Sequence, residues 1–234
     1  MSGTLYGLGV GPGDPELLTL KAVRILSEAP VIAYPAPDTG PSFARAIAAP
    51  HIPAGRAEII IRTPMTPGNF PANDVYDRYA EEIDGHLGAG RDVAVLCEGD
   101  PFLFGSFMYL FERLSESHPV VVVPGVSSIG ACAAAAGVPL VSRNQVLSVI
   151  PAPLAEDELE SRIAASPAVA IMKVGRHLEK VCRVLDRLNL TAGAWYVERA
   201  TLPEQKVIKL ADLDIAAAPY FSMILVRADE IEAP

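Results

Sequence analysis

Asp92-Val-Ala-Val-Leu-Cys-Glu-Gly-Asp-Pro101 is the stretch on which the fold turns. Val93 to Cys97 is continuously apolar, with no alternation of polar and apolar positions, as expected for a strand covered on both faces at the centre of a parallel sheet. It ends on Glu98-Gly99-Asp100-Pro101, so it delivers two carboxylates and a glycine to the carboxyl edge of that sheet. Open α/β sheets bind their ligands at that edge. Phe107, Leu110, Phe111 and Leu114 follow at helical spacing. Gly105-Ser106 opens this helix without bulky side chains, leaving room for a ligand close to the backbone.

On either side, strand-like runs alternate with helical patterns, which predicts α/β architecture. Thr4 to Val10 reads as the first strand. A helix follows, with Asp14 as N-cap, Pro15 in the first helical position and Leu18, Ala22 and Ile25 as its buried stripe. Val31 to Tyr34 reads as a second strand, ended by a turn at Pro35-Ala-Pro37. The proline-rich stretch 35–73 holds a short helix (42–48) and a strand (58–62). Val75, Tyr79, Ile83 and Leu87 mark a helix that stops at Gly88-Ala-Gly90. Val120–Val123 is a strand ended by Pro124-Gly125, and an alanine-rich helix covers 127–136. Strands are expected near 146–150, 168–173, 193–198, 206–210 and 220–226, and helices near 156–165 and 177–188. Strands crowd together after about residue 190, so the second sheet should be mixed or antiparallel. The reading is two α/β domains, residues 1–118 and 119–234.

Half of the 234 residues are hydrophobic and 20% are charged, enough apolar material for such a core. No apolar run reaches the roughly 18–20 residues of a membrane helix. Met1-Ser-Gly-Thr-Leu-Tyr-Gly7 has no basic stretch leading into an apolar one, so a cytoplasmic protein is expected. The formal charge of −9 disfavours nucleic acid and anionic membrane as partners. Cys97, Cys132 and Cys182 are widely spaced among apolar residues and read as buried thiols. The four histidines are equally dispersed, which argues against a zinc site.

Three strand-to-helix loops carry the chemistry. Gly9-Val-Gly-Pro-Gly-Asp14 invites a dinucleotide reading, but the glycines run G-x-G-x-G, not G-x-G-x-x-G. Pro12 offers no N–H, and Asp14 sets a carboxylate where a phosphate would lie. Glu98-Gly99-Asp100-Pro101 suits a ligand with hydroxyls and positive charge. Pro124-Gly-Val-Ser-Ser128 offers hydroxyls, either to cap a helix or to hold a ligand. There is no G-x-S-x-G elbow and no P-loop lysine motif.

GVGPGDPELLTLKA (9–22), EGDPFLFGS (98–106), PGVSS (124–128) and Ala-Ile-Met-Lys (170–173), in this order and spacing, resemble the motifs of the tetrapyrrole methylase family over essentially the whole chain. YPAPDTGPSFARAIA (34–48), MKVGRHL (172–178), VERAT (197–201) and APYFSMILV (218–226) look closest to the branch that methylates C-20 of precorrin-2 on the metal-free route to cobalamin. The branch acting on cobalt-factor II, or on another tetrapyrrole position, is the alternative. The resemblance implies a homodimer whose active site lies in the cleft between two α/β domains. It also implies S-adenosylmethionine as methyl donor and S-adenosylhomocysteine as product. By position it assigns Pro12, Glu98, Gly99, Asp100, Leu103, Ser128, Ile129, Met172 and Ala200 to the cofactor. Related enzymes have an aspartate after the second strand's tyrosine and a lysine as proposed proton donor. Here Pro35 and Arg62 stand in those regions, so that acid–base pair is not carried over, and Tyr34 alone is kept as a catalytic candidate. An acidic protein with a polycarboxylate substrate must gather cations at the site. Arg45, Arg62, Arg143, Lys173, Arg176 and Arg199 are the candidates, with Arg143, Lys173 and Arg199 nearest the expected strand ends.

Overall fold

A computed structural model describes residues 2–63, 73–214 and 217–227, so the prolines between 64 and 72 lie outside the described residues. The chain divides into two units, Met1–Ser127 and Ser128–Pro234.

The first unit is built on five parallel strands, β1 (Leu5–Gly9), β2 (Val31–Pro37), β3 (Ala57–Thr63), β4 (Val93–Cys97) and β5 (Val120–Val123), in the order β3-β2-β4-β1-β5. The expected division at 118/119 therefore falls too early. β5 is the outer neighbour of β1, and its valines belong to the first core. β4 is central and buried at every position. Val93, Val95 and Cys97 face one cluster, under α3 (Asn73–Gly88) and α4 (Phe107–Leu114). Ala94 and Leu96 face the other, under α1 (Leu20–Glu28) and α2 (Phe43–Ala48). Both faces being covered, periodicity has nothing to record, and each large aliphatic side chain contributes about 1.5–3 kcal/mol by leaving water. Gly7 lets α4 settle on the sheet, since a Cβ there would lie 2.5 Å from the Phe107 ring.

Two expectations need correction here. β2 runs through Pro35 to Pro37 and does not turn at them. Its pairing with β4 ends at Ala33, while pairing with β3 continues to Pro37. The prolines thus fall where the strand is an edge on one side, and their missing N–H groups break no ladder there. The first helix also starts later. Asp14 caps only a single 3₁₀ turn (Pro15–Leu17), Leu18 is extended, and α1 begins at Leu20 with Thr19 Oγ1 accepting from Ala22 N at 3.2 Å. Leu18, Ala22 and Ile25 are nonetheless all buried.

The second unit carries a mixed sheet of β6 (Leu147–Pro151), β7 (Ala168–Met172), β8 (Ala194–Glu198), β9 (Lys206–Lys209) and β10 (Ser222–Arg227), in the order β6-β7-β10-β8-β9. β6 is parallel to β7, and β10 is antiparallel to both β7 and β8. It follows that β6, β7 and β8 all point the same way. α5 (Ser128–Ala136) covers one face, its alanines allowing close approach. α6 (Glu156–Ala164) and α7 (Leu178–Arg187) cover the other. Leu178, Val181, Val184 and Leu185 form the buried stripe of α7.

Candidate active site

In the first unit, β1 and β4 are neighbours, yet the chain leaves β1 for helices on one face and leaves β4 for α4 on the other. Their carboxyl ends are therefore a topological switch point, where the diverging loops of an open α/β sheet leave a crevice. The two loops are tied to each other. Gly99 N donates to Gly11 O at 2.8 Å and Gly11 N to Gly99 O at 3.3 Å. This brings Pro12 beside Glu98, Gly99 and Asp100. The loop after β5 joins them by backbone contact, because a Cβ on Gly125 would lie 2.0 Å from Gly99 O and 2.8 Å from Gly9 Cα.

Asp100 holds this arrangement. One carboxylate oxygen accepts from Gly125 N at 3.0 Å and the other from Phe102 N at 2.9 Å. Asp14 is similarly occupied, accepting from Glu16 N at 2.8 Å. Glu98 differs. Burial pushes its carboxyl above the ordinary value, with its own backbone N–H and that of Ala44 opposing the shift. Leu103 is 38% exposed, between Phe102 and Phe104 at 48% and 44%. The room expected at Gly105 is filled by the chain itself, since a Cβ there would lie 2.4 Å from Pro101 O.

Tyr34, on β2, donates its hydroxyl to Glu58 on β3 at 2.5 Å. Arg45, on α2, grips the same carboxylate with two bonds of 3.1 Å. Burial and the Glu58 carboxylate raise the Tyr34 pKa, and the Arg45 bond lowers that of Glu58. Tyr34 is thus a neutral hydroxyl beside a carboxylate, and Arg45 is committed within the cluster. Arg62 Nη1 donates to Pro37 O at 2.7 Å and Gly40 O at 2.9 Å, bracing the turn after β2.

In the second unit, Met172-Lys173 and Arg199-Ala200 follow β7 and β8 at the same sheet edge. Ala200 is buried in one cluster, with Met172 and Ile129 packed against it; Ser128, next to Ile129, begins α5. Lys173, Arg199 and Thr201 all have positive φ (57°, 51° and 70°), and burial depresses the Lys173 ammonium. Arg176 follows two residues after the backbone of Val174, its Nε 3.4 Å from His177 Nε2. Arg143 is not part of this group. It lies in the turn leading into β6, before the amino end of a strand parallel to β7 and β8, so the topology sets it at the other end of the sheet from Lys173 and Arg199.

Sequence reading missed Glu198. This last residue of β8 is 6% exposed, accepts from Tyr196 Oη at 2.8 Å, and lies 3.5 Å from Lys206 Nζ and 3.9 Å from Arg199 Nη1. A single acid closing the apolar run 194–197 was its signal. No helix among the described residues is long and apolar enough to cross a membrane.

Residues 4–214 match the model of the family described as tetrapyrrole (corrin/porphyrin) methylases. "Precorrin-2 C(20)-methyltransferase" of Sinorhizobium sp is 43% identical over 96% of this chain and 95% of that protein. "Cobalamin biosynthesis protein CobIJ" of Mycobacterium tuberculosis is also 43% identical over 96% of this chain, which spans only 46% of that longer protein. Among solved structures, uroporphyrin-III C-methyl transferase from Thermus thermophilus, complexed with S-adenyl homocysteine, matches with TM-score 0.70 and 25% identity over 96% of this chain and 92% of that one. The chain belongs to the tetrapyrrole methylase family.

Proposed function

We propose that this protein transfers the methyl group of S-adenosylmethionine to C-20 of precorrin-2, giving precorrin-3A on the way to cobalamin. The observation that carries this reading is the end-to-end likeness, 43% over nearly the full length of both chains, to a relative bearing that activity in its name. The switch-point loops suit the donor on chemical grounds. They provide no phosphate cradle, since Pro12 lacks an N–H and Asp14 is occupied. They do provide a half-buried carboxyl at Glu98 and an exposed apolar side chain at Leu103, fitting for a nucleoside that carries positive charge and no phosphate. Glu98, Gly99, Asp100, Pro12 and Leu103 are assigned to it from the first unit, and Ser128, Ile129, Met172 and Ala200 from the second. When bound, it supplies an electrophilic methyl on a sulfonium sulfur.

The chain's own task is then placement. Fixing donor and acceptor can supply about 7–11 kcal/mol of the barrier reduction. Lys173 and Arg199 are assigned to the acceptor's carboxylates, with Arg62 as a third cation. Tyr34 acts as a neutral hydroxyl, because its raised pKa and its bond to Glu58 remove it as a base. The C-20 proton leaves to water or to a carboxylate of the substrate. The working protein is a cytoplasmic homodimer, which sedimentation should show as twice the 24.8 kDa chain mass.

Incubation with precorrin-2 and methyl-labelled donor tests the reaction, with the label located by NMR. Label at C-20 is expected. Label on another carbon, or turnover only of the cobalt-bearing substrate, would sink the assignment. Calorimetry should show binding of S-adenosylhomocysteine and none of NAD.

A further inference from the structure

We propose that Tyr220 and Phe221 form an aromatic wall on which the acceptor macrocycle rests, deepening the function proposed above and depending on it. The two rings precede β10, which lies between β7 and β8 and runs against both. Because β10 is antiparallel, its amino end meets the carboxyl ends of β7 and β8. Tyr220 and Phe221 therefore stand at the same sheet edge as Lys173 and Arg199.

The segment is pinned through its backbone. Arg199 N donates to Phe221 O at 2.9 Å, Gly175 N to Ser222 Oγ at 3.2 Å, and Ser222 Oγ to Pro219 O at 2.7 Å. Anchoring of this kind holds the segment that carries the two rings at the sheet edge. Tyr220 is 56% and Phe221 40% exposed, while Ser222 to Val226 directly after them are buried. The rings meet edge to face, 5.2 Å between centroids and 82° between planes. Among the described residues of the second unit, these are the only exposed phenylalanine, tyrosine or tryptophan side chains.

Two exposed rings beside cations on left-handed backbone describe a ligand of particular chemistry. It is flat and apolar at its centre, to lie on an aromatic surface, and anionic at its rim, to reach Lys173 and Arg199. Arg199 has Glu198 at 3.9 Å, yet 43% of its side chain reaches solvent. A tetrapyrrole carrying peripheral carboxylates has this form. The compact dinucleotide and the nucleic acid do not, the latter being repelled by the net charge of −9.

The test uses the full chain with uroporphyrin III, a stable octacarboxylic porphyrin, followed by fluorescence, and with S-adenosylhomocysteine by calorimetry. With the ring planes 82° apart, one ring lies flat on the macrocycle and the other meets it edge-on. Of Tyr220→Ala and Phe221→Ala, the variant that removes the face-on ring should therefore weaken porphyrin binding about tenfold and the other by less, while both leave S-adenosylhomocysteine affinity unchanged. Tyr220→Phe should bind as wild type, because the ring and not the hydroxyl is used. With precorrin-2, the alanine variants should raise KM more than they lower kcat. Porphyrin affinity unchanged in both alanine variants overturns the wall and leaves the methylase reading standing. A wild type that binds neither ligand overturns the reading itself. If an alanine variant does not fold, Tyr220→Leu and Phe221→Leu keep the bulk and decide in its place: wild-type porphyrin affinity in both refutes the wall.

Discussion

Replacing Asp100 with alanine separates a carboxylate that holds a loop from one that holds a ligand. Its two oxygens accept from Gly125 N at 3.0 Å and Phe102 N at 2.9 Å. Hydrogen bonds to a charged acceptor contribute about 1.5–3 kcal/mol each. The Gly125 amide belongs at the upper part of that range. It is packed against Gly9, where an added Cβ would lie 2.5 Å from Gly125 N, so water cannot easily replace the lost acceptor. The Phe102 amide is exposed and belongs at or below the lower end. Asp100→Ala should therefore destabilise the fold by about 2–4 kcal/mol, lowering Tm by roughly 5–15 °C for a chain of this size. Asp100→Asn keeps one acceptor oxygen and turns an amide N–H toward the other donor, so it should fall between alanine and wild type.

Urea unfolding followed by circular dichroism measures the stability, and calorimetry on the folded variant at low temperature measures S-adenosylhomocysteine affinity. The clamp requires stability to fall first, with affinity following the loss of loop order. Wild-type stability together with collapsed affinity would refute it and return Asp100 to the ligand.

Three further outcomes are expected. Gly125→Ala sets a Cβ 2.0 Å from Gly99 O, so backbone must move; overpacking of this kind costs about 1–3 kcal/mol, read as a lower urea midpoint, and it should also weaken S-adenosylhomocysteine binding. Tyr196→Phe removes the hydroxyl that donates to buried Glu198, at about 1–3 kcal/mol; an unchanged midpoint would mean that Lys206 alone satisfies that carboxylate. Glu58→Gln tests the Tyr34–Glu58–Arg45 cluster through pH. The Glu58 pKa is lowered from 4.5 in the fold, so its stabilising share is full above that value and fades as pH falls through the folded pKa. Wild type should exceed the variant by about 1 kcal/mol near neutrality, and the gap should close on acidification below pH 4.5; a gap that does not change with pH would contradict the assignment.

Much of the fold is legible in the sequence because its signals are local. The apolar run 93–97 marks a doubly covered strand, and Val75, Tyr79, Ile83 and Leu87 repeat every four residues along α3. What escaped depends on pairing. Pro35 and Pro37 read as a turn unless it is known that β2 has already lost β4 as a neighbour. Val120–Val123 is equally plausible as the end of one sheet or the start of the next; only its register with Leu5–Leu8 decides. In the site, Asp100 and Glu98 look alike as letters, two residues apart at a strand end. The structure ties the first to Gly125 N across 25 residues and half-buries the second, a burial that pushes its carboxyl pKa up, and neither fact has a local signature. Arg143 and Lys173 are likewise both cations near strand ends, but one precedes its strand and the other follows.

Backbone strain, taken together with position in the sheet, adds a discrimination that composition cannot. Six non-glycine residues among those described have positive φ, a conformation costing roughly 1–2 kcal/mol for most side chains. Asn189 is explained by its helix. It follows the end of α7, its N–H reaching Asp186 O at 3.0 Å and that of Leu190 reaching Leu185 O at 2.9 Å, the paired bonds of a Schellman cap. Arg143 sits in the turn before β6. The other four, Phe104, Lys173, Arg199 and Thr201, all lie in loops that follow β4, β7 and β8. Glycine would adopt this backbone without strain, as Gly99 does at φ 64°, and the first unit also uses glycine where its backbones crowd, at Gly9 and Gly125. Two long cations kept in a costly conformation at one sheet edge, when glycine would be more stable, point to side chains retained for what they contact. That is the strongest physical reason to assign Lys173 and Arg199 to an anionic acceptor. Arg143 carries the same strain at φ 47°, so strain alone does not set it apart; it is left out because it precedes β6, at the opposite end of the sheet from the loops that carry Lys173 and Arg199.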